Sequence, residues 1–566
     1  MGDRQRYGFG AFTLDPSERR LSRNDVSIPL APKAFDILVA LVRNAGHLMS
    51  TRELLQLVWP EAFVEAGIVA VHVSALRKAL GKETRHYIET VSRSGYRFTG
   101  PVTELPAASA LTWSIAVLPA RLFTTEALPG RDRYFGLTLA EALMDQLGAF
   151  SQIIVRPARA IRSYDSFSGD AAAIGRSLLV DAVVESQFLP LEDRIHISLH
   201  LIRSRGGELL WNGNYEPPAS YITAFAAEAA SSIALCLGML PVPVRSIPRA
   251  ASRPEVYQLY GRGRFHLLSG SMFEVEDAIA AFCEAIEVDP EYAPAHAGLA
   301  MACCARAEFR IAPPHKAYAQ AKTAALRALA MEESCADAQA ALATVLFLGE
   351  WDWVAAQRTL QRALELNPNH TEAYLLYGRL LEATGKLEEA LQMKLRALER
   401  DPFSPLVHLQ ISLSYWNQRN YDSAIVWVRK ALDVDPRHPH AREHLAGAYL
   451  MKGDCDRHME EILRHAELHG CPEPAMEPLK RAYATGGRQA VVRYVLDQFG
   501  NQEGANHIML AVHYAEAGEM DGAFRNLEMA IDARDPALVH LAVAPQWDPL
   551  RADPRFNHCL SRVGLM

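Results

Sequence analysis

With 566 residues, 49% hydrophobic and 22% charged, the chain can build three or four folded cores, and its balance excludes wholesale disorder. The net charge of −8 is uneven: residues 1–101 carry 14 Lys and Arg against 10 Asp and Glu, so a head of +4 precedes a body of −12. That asymmetry fits one domain near a polyanion and another facing something else.

Eight cysteines form no C-x-x-C pair and fall mostly in helical patterns, which reads as small thiols in a reducing compartment rather than as a metal or disulfide framework. The N-terminus lacks an apolar secretory core. The most apolar stretch, Ala229 to Val244, is shorter than the roughly 20 residues a membrane span needs and contains two prolines. A cytoplasmic chain with no membrane partner is expected.

In chain order, residues 7–102 show strand-like runs at both ends and three helical patterns between them. Phe35, Leu38, Val39 and Val42 recur at helical spacing, and Gly46 follows as a C-cap. Ser50-Thr51-Arg52-Glu53 is a capping box that starts a second helix. A third helix is expected from Ile68 to Leu80, with Val69, Val73, Leu76 and Leu80 on its core face. A hairpin follows, residues 87–91 turning at 92–94 into 95–98. The stretch from Thr103 to Ala110, rich in Ala and Pro, reads as a linker.

Strands and helices then alternate: a strand at 114–119, a helix at 134–150, a strand at 153–155, a helix near 171–179, three strands between 182 and 215, and a helix from 222 to 240. This is a small α/β domain. A second linker, 241–254, leads into a helical region with an internal repeat. AIEVDP ends at Pro290, ALELNP at Pro368, ALERDP at Pro402 and ALDVDP at Pro436; the last three prolines are 34 residues apart, the period of tetratricopeptide repeats. Degenerate copies end at Glu333 and Pro536. The predicted architecture is multidomain: a winged helix (α+β) over 1–102, a small α/β domain over 112–240, and an all-α tetratricopeptide-repeat superhelix over 255–566.

The helix VHVSALRKALG (71–81), LVWP (57–60) before it and IETVSRSGYRF (88–98) after it together resemble the OmpR/PhoB-type winged-helix family. The resemblance implies binding to double-stranded DNA, with the third helix in the major groove and the wing reaching the adjacent minor groove. Carried over motif by motif, Trp59, His72, Arg77, Thr90 and Tyr96 are backbone-positioning residues, Ser74, Ala75 and Lys78 fall where bases are met, and Arg93 lies at the wing tip. Trp59 and Tyr96 also fit rim packing, Arg77 a solvated charge and His72 an exposed helical position. Ser74 and Ala75 stand where the family is often basic, and Gly67 occupies a common arginine position. Base readout would then lean on thymine methyl contacts from Val71 and Ala75, with Lys78 and the wing.

No receiver domain with a phosphoacceptor aspartate is expected ahead of this output domain, so control is expected to enter elsewhere. The order of domains resembles the ToxR/CadC-like one-component regulators and, ending in helical repeats, the HilA-like activators. IAVLP (115–119), YFGLTLAEALMDQL (134–147) and LLWNGNY (209–215) resemble the N-terminal domain of TolB. The repeats imply a concave groove for a protein or peptide partner. RNA polymerase is a further expected partner, and the winged-helix resemblance suggests head-to-tail homodimers on direct repeats. No G-x-x-x-x-G-K-[ST] loop and no H-E-x-x-H occur, so no enzyme activity and no cofactor or metal are expected. The rival reading is a repeat-based adaptor whose winged helix docks protein rather than DNA.

Overall fold

The computed structural model describes residues 6–10, 12–16, 20–23, 26–28, 30, 32–59, 67–81, 85–92, 94–100, 102–105, 112–123, 131–164, 169–191, 194–218, 221–239, 251, 253–438, 440–500, 502 and 505–565. They divide into two compact units, Met1–Thr112 and Trp113–Met566.

The first unit opens with β1 (Arg6–Phe9), β2 (Phe12–Asp15), β3 (Arg20–Arg23) and β4 (Val26–Ile28), an antiparallel meander. Three helices follow: α1 (Pro32–Arg43), α2 (Thr51–Val58) and α3 (Gly67–Leu80), with the short strand β5 (Leu48–Ser50) before α2. The capping box is present: the Glu53 amide donates to the Ser50 hydroxyl while the Ser50 amide donates to the Glu53 carboxylate. The hairpin β6 (Ile88–Val91) and β7 (Gly95–Phe98) pairs with β5 in the order β5-β7-β6. Val69, Val73, Leu76 and Leu80 are buried against Phe35, Leu38 and Phe98, so the apolar stripe of α3 is the core face.

The expected linker is shorter than its composition suggested. Residues Thr103–Leu105 form β8, which pairs antiparallel with β1, Gly8 opposite Thr103, and so covers the open edge of the meander.

The second unit begins with β9 (Trp113–Val117), β10 (Arg121–Leu122), α4 (Arg131–Gly148), β11 (Ile153–Val155), α5 (Ala158–Ile161), α6 (Ala171–Ser177), β12 (Ala182–Pro190), β13 (Ile195–Arg203), β14 (Leu209–Tyr215) and α7 (Ile222–Cys236). The sheet runs β11-β9-β12-β13-β14, with β11, β9 and β12 parallel, β12, β13 and β14 antiparallel, and β10 pairing in parallel with the end of β12.

Helical pairs follow: α8 (Pro254–Leu268) with α9 (Val275–Val288), α10 (Ala293–Glu308) with α11 (Pro314–Met331), α12 (Ala336–Thr344) with α13 (Trp353–Leu366), α14 (Thr371–Ala383) with α15 (Leu387–Arg400), α16 (Pro405–Asn417) with α17 (Tyr421–Val434), and α18 (Ala441–Met451) with α19 (Cys455–Leu468). A long α20 (Glu473–Phe499), broken at Gly486 and Gly487, precedes α21 (His507–Glu516), α22 (Met520–Asp532) and a terminal α23 (Pro554–Val563).

The repeated hexapeptide has a structural cause. Asp289, Asn367 and Asp435 are extended C-caps, and Asp401 lies just outside that region at φ −133°, ψ 76°; all four stay clear of the helical conformation that a following proline disfavours in the residue before it. Glu332 is an extended C-cap without a proline. The copy ending at Pro536 is different: α22 stops at Asp532 and the chain turns through a left-handed Arg534.

The α/β layer and the first repeats share one apolar core, in which Val256, Tyr257 and Tyr292 join Ile115, Val117 and Leu143. GRGRFH serves this join. A Cβ on Gly261 would stand 2.4 Å from the Tyr134 carbonyl oxygen on α4, and one on Gly263 would meet the Phe282 ring at 2.6 Å. Farther along, Arg156 donates to four carbonyl oxygens, of Leu178 and Leu179 on one side and Glu399 and Arg400 on the other. Asn369 closes the edge of β11 by accepting from the Val155 amide at 3.0 Å and donating to the Ile153 carbonyl at 2.8 Å.

The C-terminal segment folds back onto earlier repeats. Arg310 grips the Asp535 carboxylate at 2.7 and 2.8 Å, Arg419 donates to Asp548 at 2.7 Å, and Trp353 Nε1 donates to the Val563 carbonyl at 3.2 Å. Val539 is fully buried among α10 to α14. Among the described residues no helix is long and apolar enough to cross a membrane.

Candidate nucleic-acid interface

With the apolar stripe of α3 turned inward, its other face carries Val71, Ser74, Ala75 and Lys78, all exposed, Val71 at 66%. The spacing is that of successive helical turns, so the four side chains lie on one ridge. Three are small or aliphatic and one is a cation. An α-helix of this kind fits the major groove of B-DNA, where short side chains let the backbone approach the base edges.

Two side-chain constellations frame the ridge. At its start the half-buried Trp59, just past α2, packs on His72 with ring centroids 5.6 Å apart. Lys33 of α1 donates to the Val58 carbonyl at 2.7 Å and sits 5.6 Å from the Trp59 ring centroid. At its other end Arg77 leaves α3 for the wing: its guanidinium donates to the Ile88 carbonyl, through Nε at 3.1 Å, and to Thr90 Oγ1 at 2.8 Å.

The wing itself is held by register and by one glycine. Thr90 stands opposite Tyr96, and Tyr96 opposite Met49. Gly95 has φ +149°, and a Cβ there would lie 2.0 Å from the Met49 carbonyl oxygen, so no other residue lets β7 approach β5 this closely. Across the hairpin Arg97 pairs with Glu89 at 3.5 Å.

The structure therefore brings Trp59 to His72 and Arg77 to Thr90, and sets Ser74, Ala75 and Lys78 together on the open ridge. Tyr96 is half-buried on β7. Arg93, expected at the wing tip, lies outside the described residues. Sequence reasoning passed over Lys33 and Gly95. Lys33 gives no motif signal, since its partner is 25 residues away. Gly95 follows Ser94 in a turn and carries the close approach of β7 to β5 as well.

Residues 25–98 match the family described as "Transcriptional regulatory protein, C terminal", and residues 347–410 and 409–467 match tetratricopeptide repeats. The chain therefore carries a winged-helix domain of the OmpR/PhoB type found in transcriptional regulators, followed by tetratricopeptide repeats. It is homologous to the "Transcriptional regulator HilA" of Salmonella typhimurium, with 24% identity over 407 residues, which are 70% of this chain and 71% of that one. The "Transcriptional activator CadC" of Escherichia coli is 33% identical over 96 residues, 16% of this chain and 19% of its own. The solved DNA-binding domain of CadC is 31% identical, covers 18% of this chain and 96% of that one, and superposes with a TM-score of 0.17.

Proposed function

We propose that the chain is a sequence-specific regulator acting in the cytoplasm, in which α3 enters the major groove of double-stranded DNA while partner binding to the repeats alters promoter binding or polymerase contact. In this reading Trp59, His72, Arg77, Thr90 and Tyr96 set the helix against the phosphates, and Arg93 reaches the minor groove from the wing. Ser74, Ala75 and Lys78 meet the base edges, and Val71 and Ala75 contact thymine methyl groups. Direct-repeat sites would be filled head to tail by two copies. The reading needs no catalytic step and no cofactor. It also keeps the modules 1–102, 112–240 and 255–566 as separate functional parts.

The observation that carries it is the tie from Arg77 to Ile88 and Thr90, which makes helix and wing one rigid element beside an unobstructed ridge. The test is a gel-shift titration of the full chain against salt. Affinity should fall steeply with salt, as counterion release requires. Flat salt dependence would remove the DNA-binding role and leave the docking alternative, and a preferred sequence that stays unchanged in Lys78→Ala and Ala75→Arg would remove base reading by the ridge.

A further inference from the structure

Within the second unit, the first helices of six successive pairs, α8, α10, α12, α14, α16 and α18, line one cleft of about 770 Å³ together with α4 of the α/β layer. Its lining carries seven carboxylates against four guanidinium groups and no lysine. Most of this charge is already matched. Arg264 holds Glu141 at 2.9 Å and Asp337 at 3.4 Å, His370 lies between Asp337 and Glu372 at 3.2 and 3.5 Å, and Arg379 meets Glu308 at 3.2 Å.

Glu332, at the corner between α11 and α12, is different. It has no ion pair among the described residues, and its carboxylate accepts only from Ser334 Oγ, at 3.5 Å. Burial and the neighbouring Asp145 carboxylate hold it up to about 7, as befits an anion short of a cation. The Tyr260 and Tyr292 rings meet edge to face at 5.8 Å in the wall of the same cleft. Such rings attract a cation as well as apolar chains.

Two helical pairs onward, the half-buried Gln410 of α16 is among the residues that line the cleft, and its buried Oε1 accepts no hydrogen bond among the described residues. A buried acceptor left unmade is costly, which favours a donor arriving there. Glu332 and Gln410 lie at separate stations along the groove, so a ligand serving both is a chain and not an ion. In the wall of the same cleft Met301 of α10 and Leu406 and Leu413 of α16 are half-buried.

We propose that this groove takes a short extended segment of a partner protein, whose Lys or Arg side chain enters the Glu332 corner while a backbone N–H reaches Gln410 and aliphatic neighbours rest on Met301, Leu406 and Leu413. The proposal rests on the reading that the repeats bind a protein partner, and it gives that partner a chemistry: basic and aliphatic, not acidic.

The test uses the full chain and fluorescence anisotropy. Three labelled heptapeptide mixtures are compared, each with randomised aliphatic positions and with Lys, norleucine or Glu fixed at the centre. The Lys mixture should bind about tenfold tighter than the norleucine mixture. Glu332→Gln should abolish that preference with thermal unfolding unchanged. Equal binding of the Lys and norleucine mixtures, tighter binding of the Glu mixture, or a Lys preference that survives Glu332→Gln overturns the assignment. If the norleucine mixture binds as well and Leu413→Arg abolishes its binding, the repeats still hold a partner and only the cation seat is wrong. If none of the mixtures binds, both readings fall.

Discussion

The open ridge of α3 and the inner face of the repeats handle charge in opposite ways. On α3 the only exposed cation is Lys78, and the stronger hydrogen-bond donor, Arg77, is spent inside the protein on the wing. In the repeats charge is abundant and is tied up by neighbours, down to a lysine and a glutamate with no exposure at all. A rigid, uniformly anionic partner such as duplex DNA needs a preformed shape with a few well-placed groups. A repeat array has to hold many helices in one curvature, and buried ion pairs set that register at a cost in desolvation.

The sharpest way to break the comparison is to cut that buried pair. Lys394 Nζ donates to Glu382 Oε1 at 2.6 Å and to the Gln410 carbonyl at 2.8 Å, both side chains being 0% exposed, and Gly378 leaves room for the lysine stem. Glu382→Ala strands a charge in the core and should cost roughly 3–5 kcal/mol in urea unfolding of the second unit. The double variant Lys394→Met, Glu382→Leu should recover most of the loss. If the double variant is as damaged as the single one, packing rather than charge is responsible.

A somewhat smaller effect is expected at Gly95. Alanine there is forced into a positive φ and against the Met49 carbonyl, so Gly95→Ala should destabilise the first unit by on the order of 1–3 kcal/mol. DNA affinity should fall with it, while the second unit keeps its own transition. A two-transition calorimetric trace in which only one midpoint moves is the expected record.

How much was legible follows the same division. The face of α3, the capping box at Ser50 and the Asp-Pro caps are local patterns, and each is found where the periodicity places it. The ridge residues Ser74, Ala75 and Lys78 followed from knowing which face is buried. Contacts between distant segments left no local trace. Thr103–Leu105 looks like linker because pairing with β1 is written in β1 and not in its own composition. The clasp of Arg310 on Asp535 joins residues 225 positions apart. His296 and His408 illustrate the intermediate case. Each bonds through Nε2 to the carbonyl of the proline six residues before it, a repeat-specific cap visible only once the repeats are aligned in space.

Arg77 sharpens the α3 half of the comparison. If its task is to brace the wing, Arg77→Ala should weaken DNA binding about tenfold, with the preferred sequence unchanged, since helix and wing are no longer one body. Thr90→Val removes one of the two acceptors and should produce a fraction of that loss. A changed sequence preference in Arg77→Ala would mean that the guanidinium reads bases, and the ridge would have to be redrawn.

The smallest effect is a pH limb in the stability of the second unit. Burial opposes the charge on His370, yet the Asp337 and Glu372 carboxylates beside it, at 3.2 and 3.5 Å, prevail and hold the imidazolium up to about 10. Against the same cost of burial, His370 holds Glu372 down to about 2. A raised histidine contributes stability that is complete below its unfolded value of about 6.5 and is lost as pH climbs toward 10. The lowered glutamate contributes above about 4.5 and loses its share as pH falls toward 2. Glu332, raised to about 7, and Asp401, raised to about 6, also favour the folded state on the acid side, but their limbs are spent near neutrality. The loss that begins just above neutrality therefore belongs to His370; toward pH 9 and 10 the thiols of Cys303, Cys304, Cys335 and Cys559, which burial raises, add losses of their own in parent and variant alike. In His370→Gln the urea midpoint should be lower at pH 6 and flatter from 7 to 10 than in the parent. Parallel curves for the two proteins over that range would mean that the imidazole is neutral in the fold, and that the inner face of the repeats carries one cation fewer than its geometry implies.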